Sequence, residues 1–199
     1  MSRSPTDAPA EPALGQRLRR TARREQILAA ATRAFARNGF AATSLDDVAA
    51  EAGVSRVILY RHFESKAELY RAVLDHACAR LVAAVGAEGH TMESVDALIE
   101  AAVADPAGFR LLYRHAAREP EFRQQMDAFQ ASMVGVAYRQ LAQIIADTSW
   151  AHWAAHLAPM VAVEAIIAWL DAGQPDREQV ANRIGTVLGA IIRAAQSPG

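Results

Sequence analysis

The chain has 199 residues, 52% of them hydrophobic, with 21 Lys or Arg against 22 Asp or Glu and a single cysteine. That length and apolar content suffice for a buried core, and they exclude a disordered chain or a small disulfide framework. Through Lys66 there are eleven Lys or Arg against seven Asp or Glu, net +4, and beyond it ten against fifteen, net −5. A basic head suited to a polyanion therefore precedes an acidic body.

No run of eighteen residues lacks charge and no apolar stretch follows the first arginines, so neither a membrane span nor a secretory signal is expected; the protein reads as cytoplasmic. Residues 1–15, rich in Pro and Ala without a hydrophobic period, predict a disordered tail. Ile27, Leu28, Ala31, Ala34 and Phe35 recur three and four apart, which predicts a helix from Arg17 to Asn38 with Asn38-Gly39 as a left-handed C-cap. Ser44, Ser55 and Ser65 each precede a helical pattern as N-caps, predicting helices over 45–52, 56–62 and 66–85. Gly86 and Gly89 predict a break. Thr91 then opens 92–104, Asp105-Pro106 opens 106–117, and Glu119-Pro120 opens a helix to 146. Ser149 caps 150–172, with a kink or interruption at Pro159, and Asp176 with Gln179 opens a last helix to 195. No window alternates at period two. The fold class is all-α, with a three-helix head over 16–65 and a helical body over 66–199.

The segment Leu45–Phe63, LDDVAAEAGVSRVILYRHF, meets every demand of a helix-turn-helix. Val48, Ala52, Val54, Leu59 and Phe63 supply apolar contacts, Ala49 leaves room for a crossing helix, and Gly53 permits the left-handed turn. The longer run from Arg24 to Leu69 carries NGF, Thr43-Ser44-Leu45, Val48-Ala49, Ala52-Gly53-Val54-Ser55, Leu59-Tyr60, His62-Phe63 and Ser65-Lys66. It resembles the DNA-binding domain of the TetR family of regulators, over about a quarter of the chain. Val57 and Ile58 stand where many members carry a Gly and a small polar residue.

With Leu59 and Phe63 inward, a period of 3.6 turns Val57, Tyr60 and Arg61 outward, and Arg56 sits at the start of the helix that Ser55 opens. Arg56 or Arg61 can pair with guanine and Val57 can meet a thymine methyl. The resemblance implies that Thr43, Ser44, Tyr60, His62 and Lys66 hold phosphates. Arg17, Arg19, Arg20, Arg23 and Arg24 form a basic cluster that reads either as an arm reaching DNA or as the polar first turn of a helix.

In the body, Met160–Leu170 is apolar nearly all round with only Glu164 charged, so one side faces core and the other a partner. Ile184, Val187, Leu188, Ile191 and Ile192 form a stripe, and Gly185 and Gly189 allow a close helix approach. Ile167, Trp169, Ile184, Gly185, Leu188, Gly189 and Ile192 are the candidate dimer contacts, resembling the family's four-helix interface; intramolecular core is the alternative. The resemblance also places an effector pocket among Phe109, Tyr113, Phe122, Met126, Phe129 and Trp153, with His115, Arg114, Gln130 and His156 as polar candidates.

His152 and His156 lie four apart, but Trp153 occupies the place of the glutamate that a zinc hydrolase needs. There is no Gly-rich phosphate loop and no nucleophile with a spaced base, so neither an enzyme nor a cofactor or metal is expected. Cys78 reads as a small hydrophobe. The resemblance thus implies a homodimeric repressor, released from a palindromic double-stranded operator by a small apolar or amphipathic effector.

Overall fold

The structure, a computed structural model, describes residues 11–85 and 91–197. The predicted tail through residue 10 and the predicted Gly86–Gly89 break lie outside the described residues. Among the described residues there are helices and turns but no strand, as an all-α chain requires.

Helix α1 (Glu11–Ala42) begins earlier than its hydrophobic period, so residues 11–15, read as tail, continue the helix. Pro12 falls in the first turn, where its missing N–H removes no helical hydrogen bond. Gly39 breaks the helix at φ 75, ψ 175, an extended left-hand conformation rather than the left-handed helical cap expected there. α2 (Leu45–Ala52), the short α3 (Arg56–Tyr60) and α4 (Lys66–Val85) follow. α5 (Thr91–Ala104) leads to α6 (Pro106–Arg110), which Asp105 caps by accepting from the Gly108 N–H at 2.9 Å. The helix expected over 106–117 does not stay regular: Leu111–His115 widens into a π turn and Ala116–Arg118 tightens into a 3-10 turn.

A second 3-10 turn, Pro120–Phe122, precedes α7 (Arg123–Leu141), which stops short of the expected residue 146. α8 (Thr148–Asp171) is capped by Asp147 rather than Ser149: its Oδ1 accepts from the N–H groups of Ser149 at 2.8 Å and Trp150 at 3.1 Å. Pro159 removes one backbone bond but does not end the helix. α8 is long and apolar enough to cross a membrane, yet half of its most apolar window is buried in the protein, as in a core helix. The turn into α9 (Arg177–Gln196) differs from the expected capping box: Asp176 is left-handed and its side chain makes no cap bond. Instead the Trp169 indole N–H donates to the Pro175 carbonyl at 2.7 Å and closes the turn.

Head and body share one core. Phe35 and Phe40 from α1, Tyr70 from α4 and Phe122 pack with ring centroids 4.5–6.3 Å apart. The apolar cluster runs unbroken from Ile27 to Leu188. A smaller cluster of Leu141, Ile145, Ala151, Ala154, Ala155 and Ala195 pins the far ends of α7, α8 and α9.

Candidate nucleic-acid interface and ligand cavity

Local chemistry sets the direction of α3. Ser44 Oγ accepts from the Asp47 N–H at 3.1 Å, while the Asp47 carboxylate accepts from the Ser44 N–H at 2.8 Å, a reciprocal cap. The Ser44 hydroxyl and then its N–H hold the Asp47 carboxyl below the usual carboxylate range. Gly53, at φ 61 and ψ 34, ends α2 in the left-handed conformation that needs no Cβ, and Ser55 caps α3 by accepting from the Ile58 N–H. With Val48, Ala49, Ala52, Leu59 and Phe63 buried, α3 turns Val57 outward at 63% exposure and Tyr60 at 42%, beside exposed Arg56 and Arg61.

Arg56 is already held. Its Nη1 lies 3.1 Å from an Asp46 carboxylate oxygen, and its guanidinium stands 5.5 Å from the centre of the Tyr60 ring. Asp46 was not singled out from the sequence; its ten-residue spacing from Arg56 brings the two together only once α2 and α3 cross. His62 is half-buried, and burial first, then the charges of Arg20, Arg24 and Arg23, push its imidazole below the ordinary histidine value.

Two expected phosphate contacts have other work. Thr43 is buried, and its hydroxyl donates to the Gly39 carbonyl at 2.7 Å. Lys66 donates to the carbonyls of Phe40, Thr43 and Ala41 at 2.8, 3.0 and 3.3 Å, which accounts for all three ammonium protons, and stands 4.5 Å from the Phe40 ring centre. The break at Gly39 frees carbonyls, and these two residues satisfy them. Ser44 and Ser55 remain exposed at helix starts, where N–H groups suit an anion.

In the body, two cavities of about 100 and 150 Å³ share Tyr113, Met133, Pro159 and Val163 as walls. The first is also lined by Val95, Leu98, Leu141 and Leu188, with Ser94 and Gln140 as polar lining; the Gln140 amide donates to Ser94 Oγ at 3.3 Å. The second is lined by Met126, Phe129 and Met160, with Gln130, His156 and Glu164 supplying polarity. Burial, and secondarily nearby Cys78, pushes the Tyr113 phenol above its ordinary value.

Three of the expected pocket residues, Tyr113, Met126 and Phe129, therefore line this space. Phe109 lines a separate cavity between α4, α5 and α6, and Phe122 belongs to the aromatic junction between head and body. Trp153 is 39% exposed, edge-on to Trp150. Arg114 pairs with Asp171, and His115 points the other way: its Nδ1 lies 3.5 Å from where a side-chain carbon on Gly39 would sit. The π turn thus presents Tyr113 to both cavities and His115 to the Gly39 break in α1. His152, half of the spaced histidine pair, is stacked on Tyr138 with ring centres 4.1 Å apart.

The expected dimer contacts divide. Ile167, Trp169, Ile184 and Leu188 are buried within the chain itself, because α5, α8 and α9 cover one another. Gly185, Gly189 and Ile192 are half-buried. The large apolar side chains left open on α8 and α9 include Trp150, Trp153, Met160 and Val187.

Residues 27–73 match the family described as bacterial regulatory proteins, tetR family. The HTH-type transcriptional activator FasR of Mycolicibacterium smegmatis is 31% identical over 169 residues, 80% of this chain and 74% of that protein. An HTH-type transcriptional repressor of Mycobacterium tuberculosis is 45% identical over 73 residues, 35% of this chain and 39% of the relative. Among solved structures, a TetR-like transcriptional regulator from Rhodococcus sp. RHA1 superposes with a TM-score of 0.73 at 20% identity, covering 83% of this chain and 93% of that one.

Proposed function

Because the chain belongs to the TetR family and is a DNA-binding transcriptional regulator, we propose that it works as a homodimer on a palindromic operator and leaves it when a small apolar or amphipathic effector enters the body. Arg61 and Arg56 are its base readers and Val57 its apolar contact, with Tyr60, Ser44, Ser55 and His62 toward phosphates. Exposed Trp153, Met160 and Val187, with half-buried Gly189 and Ile192, form the dimer face. Such a regulator acts in the cytoplasm.

The observation that carries the switching is the turn Leu111–His115, with Tyr113 in the cavity walls and His115 against Gly39. A drug-sized ligand needs about 300–1,000 Å³, more than either of the two cavities that Tyr113 lines, so entry there displaces Tyr113 or Met133. A π turn is a rare conformation with a regular α-helix as its close alternative, which suits a two-state element. The relatives carry names of both signs, activator and repressor. Repression is the simpler reading of release, while the position of the operator relative to the promoter decides the sign.

Selection of duplexes from a random pool tests the proposal. The expected product is a two-fold symmetric sequence whose half-sites lie about 34–36 Å apart, or a multiple of that spacing. An asymmetric single site would overturn the dimeric reading.

A further inference from the structure

The arginine cluster before the helix-turn-helix is carried on the N-terminal part of α1. α1 starts sixteen residues before Ile27, which at about 1.5 Å per residue extends it ~24 Å beyond the core of the head. From Leu18 to Gln26 it holds Arg19, Arg20, Arg23 and Arg24 against Glu25 alone.

Three observations fix where these charges point. First, Arg24, Arg23 and Arg20 lie three, four and seven residues before Ile27, so they continue the face that Ile27, Ala31 and Ala34 bury against the other head helices. Second, the root of the extension is docked beside α3: the Arg24 guanidinium lies 5.2 Å from the Phe63 ring centre, and Gln26 Nε2 donates to the Ala52 carbonyl at 2.7 Å. Third, Arg33 and Arg37, farther along the same helix, share an ion pair with Glu51, whereas Arg20, Arg23 and Arg24 make no ion pair among the described residues, Arg23 donating to the neutral Gln26 Oε1 at 2.9 Å.

We propose that the N-terminal part of α1 is a second DNA contact, a helical arm that lays Arg20 and Arg23 along duplex phosphates next to the C-terminal end of α3. This rests on the reading of α3 as the recognition helix. Phosphate contacts add affinity without sequence preference, so the arm deepens binding to every duplex alike. It also accounts for a basic stripe on the face that would otherwise be apolar.

The test compares the wild type with Arg20→Gln/Arg23→Gln, and with Arg123→Gln/Arg139→Gln on the body as a control of equal charge. The probes are a duplex selected by the protein and a mixed-sequence duplex of about thirty base pairs, three helical turns. Each lost phosphate contact lowers the slope of log affinity against log salt by about 0.9, so the arm variant should lose about 1.8 per protomer on both probes and keep the ratio between them. The control should keep the wild-type slope. An unchanged slope in the arm variant, or an equal drop in the control, overturns the proposal. A wild type that does not prefer the selected duplex refutes the recognition reading instead, and the slope on the mixed duplex still decides the arm.

Discussion

In the head, Ser44, Gly53 and Ser55 set the helix directions in the same short segment that carries Arg56, Val57 and Tyr60. In the body, one cavity wall joins Ser94, Tyr113, Met133, Pro159 and Leu188, which no local motif connects. The difference is one of how function is encoded. The head uses caps and a left-handed glycine, each a short-range hydrogen-bond or steric rule, so substitutions there act one residue at a time. The body uses the packing of α5, α7, α8 and α9 on one another, so a change at one helix face moves several walls together.

The harshest challenge to that contrast is a carboxylate at each of two apolar positions of the body. Leu188 is 4% exposed and Met160 57%. Leu188→Glu buries an unpaired charge at a cost of about 3–5 kcal/mol, and thermal melts should show the body unfolding. Met160→Glu should sediment as a folded monomer, its melt lowered only by the concentration-dependent share that dimerisation contributes. If both variants melt alike, the assignment of Leu188 to the core and Met160 to the partner face is wrong.

Next in size is Lys66→Met, which leaves the carbonyls of Phe40, Ala41 and Thr43 without their donor. Loss of a charged hydrogen-bond group of this kind costs about 2–3 kcal/mol, so the melting temperature should fall while the salt slope of DNA binding stays where it was. A lowered slope with an unchanged melt would return Lys66 to the phosphate contacts.

Here the sequence could be read only in part. Lys66 follows an N-cap serine, a position from which a cation can reach phosphate, and nothing local announces that Gly39 breaks α1 and turns three carbonyls toward it. Thr43 misleads for the same reason. Ser44, Gly53 and Ser55 were legible because caps and left-handed turns are fixed by neighbours in the chain. Ile184 and Leu188 were legible as a stripe, with core only as the alternative to a partner face, since a helical period says which residues share a face and never which helix covers it. Trp169 went unread as a turn clasp because its indole bonds a carbonyl six residues on, across a turn whose left-handed Gln174 and Asp176 depart from ordinary propensity. The π turn has no sequence mark of its own.

Arg61→Ala should cost about 1–3 kcal/mol on the selected duplex and relax preference at one position per half-site, read by competition between single-base variants. Arg56→Ala should do the same at a different position, and Asp46→Asn, which releases Arg56, should alter preference at that same position. Uniform loss on all duplexes would show that neither arginine reads a base.

The smallest effect concerns pH. In the free protein His62 is held below 6.5 by burial and by Arg20, Arg24 and Arg23, so the folded state loses stability as pH falls below the unfolded value and the unfolded chain takes up the proton first. Nearby phosphates favour the imidazolium, so the complex binds protons that the free protein does not. DNA affinity should therefore rise as pH falls through that range, and His62→Asn should flatten the profile. A flat wild-type profile would place His62 away from the phosphates.

The coupling between the two regions is tested most directly by calorimetric titration of a ligand that stabilises the protein in thermal melts, with and without the selected duplex. Linkage requires that the duplex lower ligand affinity by the same factor as the ligand lowers duplex affinity, and Tyr113→Ala should shrink both factors together. A ligand that binds at Tyr113 with identical affinity in both titrations would contradict the account.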